Sequence, residues 1–176
     1  LKTQNEDLTK ELILSFTNTA ANNIKNRFPG IRSLTLADLF NQIYQATFTH
    51  QILSSPITLS NTISMINPKS PVFSNMKMDP ATFINKFTSL INDLEPTGFK
   101  RVDLNIITGK LASFIAENFD DVLTVLDSVK QTTLAIQPII INAALSNGYP
   151  TLNIPKEFKE LHFIITDESQ DISTFE

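Results

Sequence analysis

Two short apolar runs, Glu11–Thr17 (ELILSFT) and Leu161–Thr166 (LHFIIT), stand near opposite ends of this chain and constrain its fold most. Runs of this length and composition read as strands buried on both faces, the kind that parallel sheets contain. A strand must find a neighbour for its backbone N–H and C=O groups. The opening and closing segments are expected to lie side by side in one sheet. The first run passes directly into Asn18–Phe28, where Ala20, Ala21, Ile24 and Phe28 recur at helical spacing until Pro29-Gly30 stops them. Ile31–Leu34 is long enough for a second strand, and Thr35–Tyr44 places Leu36, Leu39, Phe40 and Ile43 on one helical face. Strands alternating with helices at these lengths imply parallel βαβ units.

The middle of the chain follows another pattern. Gln51–Lys77 is polar and punctuated by Pro56, Pro68 and Pro71, which predicts loop or short irregular pieces. Asp79 then reads as an N-cap with Pro80 in the first turn, ahead of an apolar face of Phe83, Ile84, Phe87, Leu90, Ile91 and Leu94. Asp103 predicts a cap for a second helix carrying Leu104, Ile107, Leu111, Phe114 and Ile115 inward. Val122, Val125, Leu126 and Val129 mark a third helix, with Asp120-Asp121 at its start as cap and dipole partner. Ile136–Leu145 suggests a fourth, begun or kinked at Pro138 and closed at Asn147-Gly148. Four helices without an intervening strand describe a helical module. The expected division is 1–45 as the first part of an α/β core, 46–155 as the helical insertion, and 156–176 as the returning core strand.

Composition removes several function classes. No apolar run approaches the ~18–20 residues of a membrane-spanning helix, and the longest candidate, around Ile136–Leu145, is broken by Gln137, Pro138 and Asn142. The polar start, Leu1–Lys10, lacks the apolar stretch of a secretory signal, so a cytoplasmic location is expected. With no Cys there is neither thiol catalysis nor a Cys-based zinc site, and two His, at positions 50 and 162, make a His-rich metal centre implausible. His50 reads as a favourable group at a helix end and His162 as a structural strand neighbour. No G-x-S-x-G elbow accompanies the plentiful Ser and Thr, which argues against a serine hydrolase. A net charge of −4 supplies no general attraction for nucleic acid but permits a local groove. Lys100-Arg101 is the best small basic spot in the insertion, read as an exposed loop pair or a contact to duplex DNA. The abundance of Asn, Ile, Thr and Ser is compatible with an AT-rich genome such as that of a phage or virus.

The chemistry concentrates in Asp167-Glu168-Ser169-Gln170-Asp171, directly after the closing apolar strand. Ligands of open α/β sheets collect at the carboxyl ends of strands. Two adjacent carboxylates there suit Mg²⁺, which takes one or two carboxylates together with waters and phosphate oxygens. One carboxylate can hold the metal while the other orients or deprotonates a water for attack on a γ-phosphate. Taken alone, the same pair also reads as a solvated acidic turn.

Residues Ile164–Asp171 (IITDESQD) resemble the Walker B segment of superfamily 1 DNA helicases of the UvrD/Rep/PcrA kind, an apolar strand followed by D-E-x-Q-D. Ser15–Ile24 (SFTNTAANNI) resembles that family's motif Ia, T-F-T-N-K-A-A-x-E-M, at the same kind of strand-to-helix turn. Ser33–Phe40 (SLTLADLF) is similar to motif Ib, T-F-H-S-F, through Thr35 and an apolar neighbour. The order Ia, Ib, long gap, II is the family's order, and its members insert a helical subdomain, 1B, in that gap. The resemblance implies a partial RecA-like P-loop NTPase motor domain of α/β class, with parallel strands interrupted by a mainly α-helical insertion.

By that resemblance, Asp167 holds Mg²⁺ directly or through water, and Glu168 is the catalytic base for ATP hydrolysis. Gln170 and Asp171 link nucleotide state to neighbouring motifs. Phe16, Thr17 and Asn18 line the path of single-stranded DNA, and Thr35 contacts a DNA phosphate. The bottom-up alternatives stay beside these roles: Phe16 as a core aromatic, Thr17 and Asn18 as helix caps that also seat phosphate, and Thr35 as a cap. The implied activity is ATP-driven translocation on single-stranded DNA with unwinding of duplex DNA.

The sequence also departs from the pattern. Motif Ia's Lys is Thr19, and motif Ib's His-Ser is Ala37-Asp38. No G-x-x-x-x-G-K-[ST] occurs, and the one Gly-Lys pair, Gly109-Lys110, lies inside a helical pattern. These 176 residues alone are therefore expected neither to hydrolyse ATP nor to unwind DNA. The competing expectations are a non-enzymatic helical protein-interaction module and the motor subunit of a helicase–nuclease.

Overall fold

The computed structural model describes residues 10–94, 101–149 and 152–166, and of residues 101–107 it describes the backbone alone. The chain is of mixed α/β class with parallel strands. It forms two compact units: one from the residues up to Thr47 together with those from Asn153, the other from Phe48–Leu152. Among the described residues, no helix is long and apolar enough to cross a membrane.

Among the described residues, the first unit is built on a sheet of three strands, β1 (Glu11–Ser15), β2 (Arg32–Thr35) and β5 (Phe163–Thr166), in the order β2-β1-β5. Both pairings of the central β1 are parallel. Ser15 stands opposite Thr35 on one side, and Leu14 opposite Thr166 on the other. Helices α1 (Asn18–Arg27) and α2 (Leu36–Thr47) follow β1 and β2. Alternation along β1 buries Leu12 and Leu14, which cluster with Leu36 and draw in Phe16, Leu34, Leu39, Phe40, Phe158 and Leu161. Phe158 lies on the four-residue α8 (Lys156–Lys159), and the Arg32 guanidinium stands 5.7 Å from its ring centroid. Gly30 has φ +110°, a backbone state that side chains rarely adopt, and there the chain turns from α1 into β2.

The closing strand differs from the sequence expectation in one respect. Phe163, Ile164 and Ile165 are 65, 58 and 52% exposed, although LHFIIT reads as a strand buried on both faces. Among the described residues β5 is the outer strand of the sheet, with β1 as its one neighbour, so its side chains are flanked from that side alone. Phe28, expected on the buried face of α1, is its C-cap and is exposed.

The second unit contains α3 (Pro56–Ser64), α4 (Pro80–Asn92), α5 (Arg101–Glu117), α6 (Phe119–Val129) and α7 (Gln137–Ser146). It also contains two three-residue strands, β3 (Gln51–Leu53) and β4 (Gln131–Thr133), which pair in parallel. The absence of strands expected for this region is thus corrected. Gln-Ile-Leu and Gln-Thr-Thr are too short for alternation to register; beside their pairing, the Gln51 N–H donates to the Lys130 carbonyl at 2.8 Å. Residues 51–77, read as loop, hold β3, α3 and a 3₁₀ turn at Pro71–Phe73. Pro56 begins α3 behind Ser55, whose hydroxyl accepts the Thr58 N–H. That is the arrangement Asp79 and Pro80 make for α4, where the carboxylate accepts the Thr82 N–H and hydroxyl, both at 2.9 Å.

Two further caps differ from expectation. The second helix of the module already includes Arg101, which places Asp103 inside it. Asn118 occupies the cap position of α6. Asp120 and Asp121 lie in the first turn, where they complement the helix dipole, and buried Asp121 accepts the Lys77 N–H at 3.2 Å. Core packing is aromatic at α4 and α5: Phe83, Phe87 and Phe114 have ring centroids 5.1–6.0 Å apart. It is aliphatic at α6 and α7, through Val122, Val125, Leu126, Ile139 and Ile140.

Candidate functional site

All three parallel strands of the first unit run in one direction, so their carboxyl ends form a single edge of the sheet. At this edge β1 gives way to Phe16-Thr17-Asn18, β2 to Leu36, and β5 ends at Thr166. Asp167, Glu168, Gln170 and Asp171 lie outside the described residues, as do Ser169 and Lys100. The structure brings together Phe16, Thr17, Asn18 and Thr35, together with the strand that leads into the acidic segment.

The turn after β1 is made by its own polar groups. Thr17 has extended backbone angles, φ −122° and ψ 147°, and its hydroxyl accepts the Ala20 N–H at 3.1 Å. Its carbonyl accepts the Ala21 N–H at 3.0 Å and also the buried Ser15 hydroxyl at 3.3 Å. The capping bond uses a hydroxyl lone pair of Thr17 and leaves the hydroxyl proton uncommitted by that bond. Thr17 and Asn18 are exposed at the start of α1, where backbone N–H groups and the helix dipole favour an anion. No acidic residue stands in the first turn of α1, and Lys25 and Arg27 occupy its last turn.

Phe16 is half-buried, with part of its ring against the Leu12, Leu14 and Leu36 cluster. Core packing and an accessible aromatic surface are both present in the same side chain. Thr35 is different. It is 5% exposed, and its hydroxyl accepts the Asp38 N–H at 3.0 Å, so it caps α2 from within. Asp38 also puts a negative charge in the first turn of α2, which opposes a phosphate there. Of the four described candidates, Thr17 and Asn18 are presented to solvent, Phe16 is partly presented, and Thr35 is covered.

Among the described residues, no group of three or more His, Asp or Glu side chains is placed to hold a metal ion. His50, in the second unit, is buried with its Nε2 2.9 Å from Asp127 Oδ1 and its ring stacked on Phe48. It therefore has a structural place at the start of β3, not a helix-end one. Ser15 and Ser33, both buried on the sheet, carried no sequence signal, because short polar residues in an apolar run resemble turn formers.

Comparison with known proteins finds no matching family model, no matching curated protein and no matching solved structure.

Proposed function

We propose that this chain is part of an ATP-dependent DNA helicase or translocase, contributing to a RecA-like motor domain that couples ATP hydrolysis to movement on single-stranded DNA. The observation that supports this reading best is the parallel pairing of β1 with β5 across more than a hundred intervening residues. It brings the segment resembling motif Ia and the strand leading into D-E-x-Q-D to one carboxyl edge, where α/β sheets bind ligands.

Within this reading, Asp167 and Glu168 offer the oxygen donors that Mg²⁺ takes, and the metal would neutralise charge on the phosphates of ATP. Glu168 orients and deprotonates the attacking water, with Gln170 and Asp171 transmitting the state of the nucleotide. Thr17 and Asn18 meet the DNA backbone with a hydroxyl, an amide and the positive end of α1. Phe16 offers its ring to a base, a contact tolerant of sequence because every base has a π-face. Duplex DNA ahead of the strand is the object of unwinding.

The test is Glu168→Gln in the intact protein. Removing the base while keeping size and polarity is expected to abolish ATP turnover and to retain ATP binding, measured by phosphate release and by a fluorescent nucleotide. Turnover at the wild-type rate would remove Glu168 from this role and the motor reading with it.

A further inference from the structure

The second unit has an open groove between α4 and α5, with a volume of about 650 Å³, within the range of ligand-binding pockets. On α4, Lys86 and Leu90 are four residues apart and share a face. On α5, Gly109 and Ser113, and Lys110 and Phe114, repeat that spacing, and Glu117 closes one end. Gly109 and Ser113 are small, so the α5 wall recedes there. Half-buried Leu90 is the apolar surface the groove offers, and the Phe114 ring is 4% exposed. The Lys86 ammonium stands 5.2 Å from the Phe114 ring centroid, which holds one positive charge over the groove, and Lys110 brings a second from the opposite helix.

We propose that this groove docks a short acidic peptide segment of a partner protein, with an apolar side chain against Leu90 and flanking carboxylates on Lys86 and Lys110. Charge complementarity carries the choice of partner: two cations against one carboxylate line the groove on a chain whose net charge is −4. The span from Gly109 to Glu117 is about 12 Å at the helical rise. That accommodates about four extended residues. Glu117 sets a polarity, favouring a basic or amino-terminal group at its end of the peptide.

A nucleic-acid strand fits less well. Phe114 is 4% exposed with Lys86 over its face, so it offers no stacking platform. The inference stands apart from the motor reading, since neither the groove nor its lysines belong to the carboxyl edge of the sheet. Glu168→Gln is accordingly expected to leave peptide binding unchanged.

The experiment is selection of a phage-displayed library of random short peptides on the intact protein, followed by fluorescence anisotropy with the best synthetic peptide. Selected sequences are expected to place acidic residues around an aliphatic or aromatic one. Lys86→Ala and Lys110→Ala should each weaken binding about threefold, and the double Lys86→Glu, Lys110→Glu variant about tenfold or more. Both lysines are exposed, so melting temperatures should stay at the wild-type value, and Lys→Gln variants provide the same charge loss should the reversal disturb folding. Absence of enriched peptides, enrichment without acidic residues, or equal affinity in the double variant would overturn the proposal. Loss of oligothymidylate binding in the double variant, with peptide binding intact, would overturn it in favour of a nucleic-acid face.

Discussion

Phe16 joins the core of the first unit to the edge where DNA is proposed to pass, and its two roles separate by substitution. Truncating a fully buried Phe to Ala costs about 3–5 kcal/mol, so the half-buried ring of Phe16 should lose roughly half, about 2 kcal/mol. Stacking of a base on an aromatic ring contributes ~1–3 kcal/mol, a change in affinity of about 5- to 150-fold. Phe16→Ala therefore affects folding and binding by similar amounts and does not discriminate alone. Phe16→Leu does. Leucine keeps an apolar side chain against Leu12, Leu14 and Leu36 and should cost about 1 kcal/mol of stability, yet it has no π-face. The expected result in the intact protein is a small shift of the urea midpoint followed by circular dichroism. Oligothymidylate affinity, followed by anisotropy, should fall by about as much as in Phe16→Ala. Wild-type affinity in Phe16→Leu would refute the stacking argument and assign the ring to the core.

Three other outcomes follow from the same geometry. Thr17→Ala removes the hydroxyl that accepts the Ala20 N–H and should lower stability by about 1 kcal/mol in thermal or urea denaturation. Phe87→Ala opens a cavity beside Phe83 and Phe114 and should cost about 3–5 kcal/mol, read as a large fall in melting temperature of the helical unit. Asp79 is held below the usual carboxylate value of 3.8, first by the Thr82 N–H and then by the Thr82 hydroxyl. A carboxyl lowered on folding stabilises above its unfolded value and loses that contribution as pH falls through the folded one. The melting-temperature difference between wild type and Asp79→Ala should thus be largest near neutral pH and shrink in acid below the ordinary value. A difference independent of pH would show that the ionised cap has no part in it.

Local signals were legible wherever one residue suffices to state them. Asp79-Pro80 announced α4, Pro29-Gly30 ended α1, and the stripe of Phe83, Ile84, Phe87 and Ile91 named a core face that the structure buries. The Ser55-Pro56 start of α3 had the same form but was submerged by two other prolines and a polar composition. Its helix rests on neighbours: the buried Ser60 hydroxyl donates to the Thr88 carbonyl of α4 at 3.3 Å. Asp121 had the position of a capping residue and instead holds the Lys77 N–H, a partner 44 residues away that no local pattern can supply.

The candidate site divides along the same line. Residue types at the turn after β1, and their likeness to motif Ia, could be read directly, because capping and strand-to-helix transitions act over a few residues. Which of them face solvent could not. Thr17 and Asn18 remain outside while Thr35 turns beneath α2, a distinction set by how each helix packs on the sheet. Amino-acid order alone determined that short apolar strands and amphipathic helices would form, since periodicity and caps are short-range. Tertiary structure decided that, among the described strands, β1 takes the centre and β5 an outer place, and that α4 and α5 leave an open groove lined by Lys86, Lys110 and Glu117. Pairing and packing are contests among distant segments for the same hydrogen bonds and apolar surface, and only the folded chain records which segments won.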